Sequence, residues 1–330
     1  MSFVRYNPED SVISSETVVR GLFSGDTGSL TTFFTASGYT EYYLDVYNAN
    51  PTTNASASVQ FTVQYGNLYG SGSALLNSQV TGASPSRIVY GQYRNLVYGT
   101  ETTNFSFDGG TTTANDIYVI NFSRARYKES LLPGSLNIGL RSGSAQLYLT
   151  DDSNVSNTTN FIGENRYYNI ISGSNGSAYT GSAATTYYGM FLPDINVVIL
   201  KASGSNSVSP YAAPITSSFA ANYNALKLFS SVSASGVASI PLTVQSSETV
   251  SSRYFFTRVK NGDFNYTTNP SIIDANGNIL YTTLINNPQT YVTTVGLYND
   301  NNDLLAVAKL SKPLVKDFTK EALIRVKLDY

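Results

Sequence analysis

The sequence predicts a mainly β protein, with antiparallel, sandwich-like domains and one or two short helices. Three observations point there. Short period-two segments recur between clusters of Gly, Asn, Asp, Ser and Pro, the pattern of many strands joined by turns. Hairpin-turn signals crowd the last eighty or so residues, and the chain closes on a strictly alternating strand. Only two stretches break the β rhythm with helical spacing.

In chain order, Thr17–Phe23 and Leu30–Thr35 flank Ser24-Gly25-Asp26-Thr27-Gly28, a predicted hairpin. Tyr42–Tyr47 and Ala57–Tyr65 follow as two strands around the turn-rich Asn48–Ser56. In the second, Val59, Phe61, Val63 and Tyr65 share one face, and Ser58, Gln60, Thr62 and Gln64 the other. One face should be buried and the other wet. Pro85 after Ser84 opens the first helix, with Ile88, Val89, Gln92, Tyr93, Leu96 and Val97 at helical spacing until Gly99. Ser217–Phe229 is the second helical stretch, its stripe formed by Phe219, Ala220, Tyr223 and Leu226. Both stripes are packing faces rather than cofactor sites.

Between Ser142 and Ser252 the charged residues thin to Asp151, Asp152, Glu164, Arg166, Asp194, Lys201, Lys227 and Glu248. Strand signals persist there, at Gln146–Leu149, Asn196–Leu200 and Ile240–Val244, so the stretch is folded. Long polar loops fall at Ser153–Asn160, Ser172–Thr186 and Ser203–Ser209. Beyond it, Tyr254–Lys260 is a strand and Asn261-Gly262 a hairpin-turn signal. Asp274–Asn278 marks another turn, and Tyr291–Tyr298 and Leu304–Leu310 flank Asn299–Asp303. In Leu323–Tyr330, Ile324, Val326 and Leu328 face inward, while Arg325, Lys327 and Asp329 face out; such a strand must be paired in a sheet. The expected organisation is therefore an N-terminal β domain over 1–141 with its helix near 85–98, and a low-charge β domain or insertion over 142–252. The C-terminal β segment, 253–330, has pairing to the N-terminal domain left open.

Composition excludes more chemistry than it specifies. Hydrophobic residues make up 42% of the chain and charged residues 13%, where about a quarter is usual. The absence of His removes the imidazole base, the Ser-His-Asp triad and His metal ligands. The absence of Cys removes disulfides, thiolate nucleophiles, Fe–S clusters and thiolate zinc sites. A net charge of −2 gives no polycation for a phosphate backbone. The nearest basic cluster, Arg124, Arg126 and Lys128 around Tyr127 with Arg141 beyond, is a solvated strand face or loop, and no nucleic-acid partner is expected. No apolar run reaches the ~20 residues of a membrane span, so no membrane partner is expected. The opening Met1–Asp10 lacks the pattern of a secretory signal, which makes Asn54-Ala55-Ser56 and Asn121-Phe122-Ser123 by-products of composition.

Paired carboxylates remain conceivable as catalysts. Adjacent strand residues point to opposite faces, so Asp151 and Asp152 cannot form a glycosidase pair alone. Asp108, Asp116, Glu164 and Asp194 would have to converge in space; turn and cap roles are expected for them. Asn299–Asp303 resembles part of a calcium loop but lacks its sixth-position Gly and distal Glu, and a hairpin loop is expected. Gly70-Ser71-Gly72-Ser73 lacks the Lys of a phosphate loop and is read as flexible. No catalytic, cofactor or metal residue is assigned. The pairs Tyr42-Tyr43, Tyr167-Tyr168 and Tyr187-Tyr188 place one ring on each strand face, so one of each can meet solvent or a protein partner. Stacking on sugars is the competing use.

Three stretches carry a family resemblance: Arg87–Leu96; Asp116–Glu129 followed by Leu132–Leu136; and Phe264–Pro270 with Tyr291–Leu310 and the final strand. Together they resemble virion structural proteins of large contractile-tailed bacteriophages, particularly baseplate-associated ones, and Ser142–Ser252 matches least. Val295–Tyr298 with Asp303–Ala308 is similar to β segments common in phage tail and fibre-attachment proteins. The resemblance implies a non-enzymatic, wedge-like baseplate subunit that contacts other tail subunits or a fibre, assembled in the bacterial cytoplasm. It carries over no active site and no cofactor. Sparse charge suits that role, because unpaired charges are costly to bury on assembly. A carbohydrate-binding or depolymerising receptor-binding protein, and a neck or head decoration protein, stand as alternatives.

Overall fold

Alternating and unbroken apolar runs in this chain build antiparallel sheets, described by a computed structural model for residues 5–36, 42–76, 80, 83–107, 113–155, 159–179, 186–212, 214–218, 224–238, 241–265 and 269–330. The chain divides into two units, Thr17–Glu248 and Met1–Glu16 with Thr249–Tyr330. Its longer elements are β1 (Ser11–Gly21), β2 (Leu44–Tyr47), β3 (Val59–Asn67), α1 (Pro85–Tyr98), β4 (Asp116–Phe122), β5 (Asn137–Ser142) and β6 (Ala145–Asp151). They continue as β7 (Asn165–Ser174), β8 (Gly189–Leu192), β9 (Val197–Lys201), α2 (Asn224–Val237), β10 (Gln245–Val259), β11 (Thr290–Tyr298), β12 (Leu304–Lys316) and β13 (Ala322–Asp329). Both β1 and β10 run through the division, at 16–17 and 248–249. Among the described residues no helix is long and apolar enough to cross a membrane.

The larger unit is one curled sheet in the order 29–30, 242–243, β5, β6, β7, β8, β9, β4, β3, β2. Leu30 pairs with Leu242 at one margin, and Phe34 bridges Tyr47 at the other. The segment 29–34 thus touches both margins, and the sheet curls back on itself. Residues 17–35 consequently form no hairpin. Phe23 and Thr27 close a tight turn, but the strands on either side find partners more than 200 residues away, in β10 and at 242–243.

The central strands β4 and β9 are covered on both faces. Ile117, Val119, Val197 and Ile199 meet Val89, Tyr90, Tyr93 and Val97 of α1. Tyr118, Ile120, Phe122, Val198 and Leu200 point the other way, into a core that includes Leu228 and Val232 of α2. An unalternating run such as Val197–Leu200 is what two-sided burial requires. Each such side chain contributes about 1.5–3 kcal/mol relative to exposure.

The expected wet face of β3 is not wet. Gln60 is fully buried beside Ser24 and Ser58, and Thr62 and Gln64 are half-buried where α1 packs on the strand. Gln60 tolerates burial because its amide bonds Ser24 in both directions and the Ser58 carbonyl. Helix α1 runs from Pro85 to Gly99 as expected, with Gly99 in the left-handed conformation (φ 66°) and its N–H on the Asn95 carbonyl. Ser84 does not cap it. Its hydroxyl donates to the Gly70 carbonyl, Ser86 donates to that of Ser71, and the Ser86 N–H reaches the Ser73 hydroxyl. The Gly70–Ser73 segment is therefore tied to the helix start rather than flexible.

The second helix lies further along than its stripe suggested, at 224–237; Phe219, Ala220 and Tyr223 fall outside the described residues. Its small residues let it sit close to the sheet: a methyl on Gly236 would lie 2.1 Å from the Thr31 carbonyl oxygen. The change of composition at 142 falls within this sheet, at the turn joining neighbours β5 and β6.

In the smaller unit β10 pairs with β13 from Ser252↔Asp329 to Val259↔Ala322. Ile324 and Val326 are buried, Leu328 half-buried, and Leu323, Arg325, Lys327 and Asp329 exposed, as alternation requires. Asn261-Gly262 makes a turn without a hairpin, since the chain leaves β10 and does not pair back along it. A hairpin does form by β11 and β12 around Asn299–Asp303. Its base is anchored by Lys316, fully buried, whose ammonium donates to the Asn261 and Asp317 carbonyls and to Asn265 Oδ1, each at 2.9 Å. Lys316→Met removes the donor of the Asp317 carbonyl and of Asn265 Oδ1, while Asn261 keeps the Asn265 amide, and is expected to destabilise this unit by about 1–3 kcal/mol. Hydrogen exchange across 290–316 will quicken if the lysine anchors the base and stay unchanged if it does not.

Candidate functional site

Two of the four cations singled out in the sequence, Arg126 and Lys128, line one groove; Arg124 and Arg141 do not. A single 3₁₀ turn, Arg124–Arg126, presents this pair beside the end of β1 and the start of β10. The groove, of about 450 Å³, is lined by Arg20, Asp26, Arg126, Tyr127, Lys128 and Glu248 among others. Glu248, only 14% exposed at its side chain, lies 2.9 Å from Lys128 and 3.8 Å from Arg20. Arg126 donates to the Ser24 hydroxyl at 2.9 Å, and its Nε is buried without a partner among the described residues. Arg124 sits over the Tyr127 ring at 4.5 Å and donates to the carbonyls of Tyr127 and Lys128. Burial raises the Tyr127 phenol, against the opposing pull of Arg124. Arg141 lies apart, its Nε on the Gly143 carbonyl. The groove thus mixes cations with carboxylates that offset them, and its exposed ion pairs add little stability.

Among the described residues the candidate carboxylates serve local partners. Asp151 is fully buried and accepts the Gly134 and Ser153 N–H groups; burial raises its carboxyl, with those bonds opposing. Asp152 accepts the backbone and side-chain N–H groups of Asn169. Asp194 pairs with Arg166 at 2.7 Å, and Glu164 sits in the exposed turn before β7. Asp116, at the start of β4, takes the hydroxyls of Tyr65 and Ser203 and the Asn67 amide. Asp194 precedes Val197, whose partner Asn121 lies five residues along β4 from Asp116. At 3.3 Å per residue that is about 16 Å, beyond the roughly 5–9.5 Å of glycosidase pairs. Asp108 lies outside the described residues. Among the described residues no group of three or more acidic side chains could hold a metal. In the Asn299–Asp303 loop, Asn299 Oδ1 accepts the N–H groups of Asn301 and Asp303, and Asn302 is left-handed. These are turn-forming bonds.

The tyrosine pairs behave in two ways. Tyr42 and Tyr43 are about 40% exposed. Tyr168 and Tyr188 pack into the core shared with α2, and Tyr167 and Tyr187 into the one under α1. Alternation does split these pairs across the sheet, but both sides are covered.

Burial also raises the phenols of Tyr65, Tyr118, Tyr90 and Tyr93, with the Asp116 carboxylate adding to the shift at Tyr65 and Tyr118. A phenol with a raised folded-state pKa holds its proton more tightly folded than unfolded. That stability is present below the ordinary tyrosine value of about 10 and is lost as pH rises beyond it. Tyrosinate absorbance is therefore expected to show these phenols ionising only together with cooperative loss of circular dichroism. Smooth ionisation of every tyrosine in an intact fold would contradict the burial.

An exposed apolar surface was missed by sequence reasoning. On the β11–β12 hairpin Tyr291, Leu304, Leu305 and Val307 are all more than half exposed. The signal was present: Leu304-Leu305 beside a turn, in a strand with no alternation at that end. Comparison with known proteins finds no matching family model, no matching curated protein and no matching solved structure.

Proposed function

We propose that this chain is a structural subunit of a contractile-tailed bacteriophage virion, placed in the tail baseplate and acting through contacts with neighbouring tail subunits or a fibre. The observation that carries this reading is the exposed apolar hairpin. A two-stranded ribbon is marginal alone in water, and contiguous exposed apolar side chains mark surfaces that other proteins cover. The resemblance of Arg87–Leu96, of Asp116–Glu129 with Leu132–Leu136, and of Phe264–Pro270 with Tyr291–Leu310 and the final strand to phage virion proteins is what suggests the particle. The scattered carboxylates favour this reading over a depolymerase. Cryo-electron microscopy of the source particle tests it: the expected result is density for this chain in the baseplate at a fixed, symmetric copy number. Purified particles whose tails lack the chain overturn it.

A further inference from the structure

The register of β10 against β13 sets Tyr254 opposite Lys327, Phe256 opposite Arg325 and Arg258 opposite Leu323. All six side chains therefore share the outer face of the pair, away from the buried Ile324 and Val326. Arg325 lies 5.3 Å from the Tyr254 ring centroid, and Leu323 is 62% exposed. Of the three cations, Lys327 is offset by Asp329 at 3.0 Å and by nearby Glu16. Arg258 and Arg325 have no ion-pair partner among the described residues. The face is thus apolar and aromatic with uncompensated positive charge.

The β11–β12 hairpin of the same unit ends in the opposite character. Its tip carries Asp300 and Asp303 and no cation, beside the exposed Leu304 and Leu305. The turn's own hydrogen bonds hold the tip in shape, and Lys316 holds the base.

From this complementarity we propose that copies of this chain associate head to tail, the hairpin tip of one copy seating on the outer β10–β13 face of the next. Asp300 and Asp303 meet Arg258 and Arg325, and Leu304 and Leu305 meet Leu323, Tyr254 and Phe256. Such a contact joins unlike surfaces, so it generates a ring if the rotation closes and a filament if it does not. The inference rests on the assembly reading above and names the partner of one surface as a second copy.

Sedimentation velocity over a concentration series tests it on the full chain. The wild type is expected to associate. Asp300→Arg alone, and Arg258→Glu with Arg325→Glu, each place like charges across the contact and are expected to weaken association at least about tenfold. Mixed together, the altered tip can seat on the altered face and the unaltered tip on the unaltered face, so the mixture is expected to associate more strongly than either variant alone. Circular dichroism checks that each variant folds, and Lys309→Glu, on β12 away from the tip, serves as a charge-changing control expected to leave association unchanged. A wild type that stays monomeric at every concentration overturns the proposal, as does an oligomer that neither reversal weakens. A monomer that is nonetheless found in purified tails overturns this inference alone; absence from the particle overturns the baseplate reading.

Discussion

Gly189→Ala is expected to destroy the native sheet, although it adds one methyl group. Gly189 lies in β8 between Ile170 of β7 and Leu200 of β9. A Cβ there would sit 2.1 Å from the Ile199 carbonyl oxygen and 3.0 Å from the Leu200 Cα. Both contacts are backbone, so no side chain can swing aside. Relief requires β8 to part from β9, and those strands lie mid-sheet with cores on both sides. The expected loss exceeds about 4 kcal/mol, a large share of the roughly 5–15 kcal/mol that typically holds a domain. The same substitution at Gly91 in α1 meets nothing within 4 Å. There the alanine should stabilise by about 0.5–1 kcal/mol, through helix propensity. Denaturant titration of both variants is the measurement. Two alanines of similar effect would mean that β8 and β9 do not pair in this register.

Asp116→Ala is expected to cost about 3–5 kcal/mol. The carboxylate accepts from Tyr65 of β3, Asn67 of β3 and Ser203 after β9, so one side chain ties three segments at one end of the sheet. Tyr65 and Asn67 are only 6% and 5% exposed. Removing their acceptor leaves two buried donors unpaired, at about 1–3 kcal/mol each. The damage should spread, because Asn67 Oδ1 in turn accepts the N–H groups of Tyr69 and Ser71. Asp116→Asn keeps one acceptor oxygen and should fall between wild type and alanine. Thermal melts rank the three, and hydrogen exchange at 69–73 reports the spread. An Asp116→Ala protein as stable as wild type would show that the network contributes no net stability.

Local rules made several elements readable. Pro85 and Gly99 bracket α1 because φ constraints act within a residue or two, and alternation in β13 survives because only one face of that strand is buried. What failed depends on distant partners. The polar side of β3 was indistinguishable from a solvent face until α1 covered it and Ser24 satisfied Gln60. The small residues at the end of α2 resemble loop composition, yet Ser231, Ser235 and Gly236 are buried where the helix meets the sheet. The scarcity of charge after 142 looks like a domain change, whereas it follows from strands β6–β9 being mid-sheet. At the candidate groove, Arg126 and Lys128 were legible as a basic cluster. Glu248 was not, because 120 residues separate it from Lys128.

The division of the chain also has a consequence for synthesis. Residues before Glu16 belong with those after Thr249, so one unit is interrupted in sequence by the whole of the other. At about 5–20 residues per second, the start of β1 leaves the ribosome roughly ten to fifty seconds before the β10 segment it pairs with. The interrupting unit is complete at Glu248 and can fold during the roughly 4–16 seconds that the remaining residues to Tyr330 take. The early half of β1, Ser11–Glu16, must therefore wait unpaired until β10 is translated.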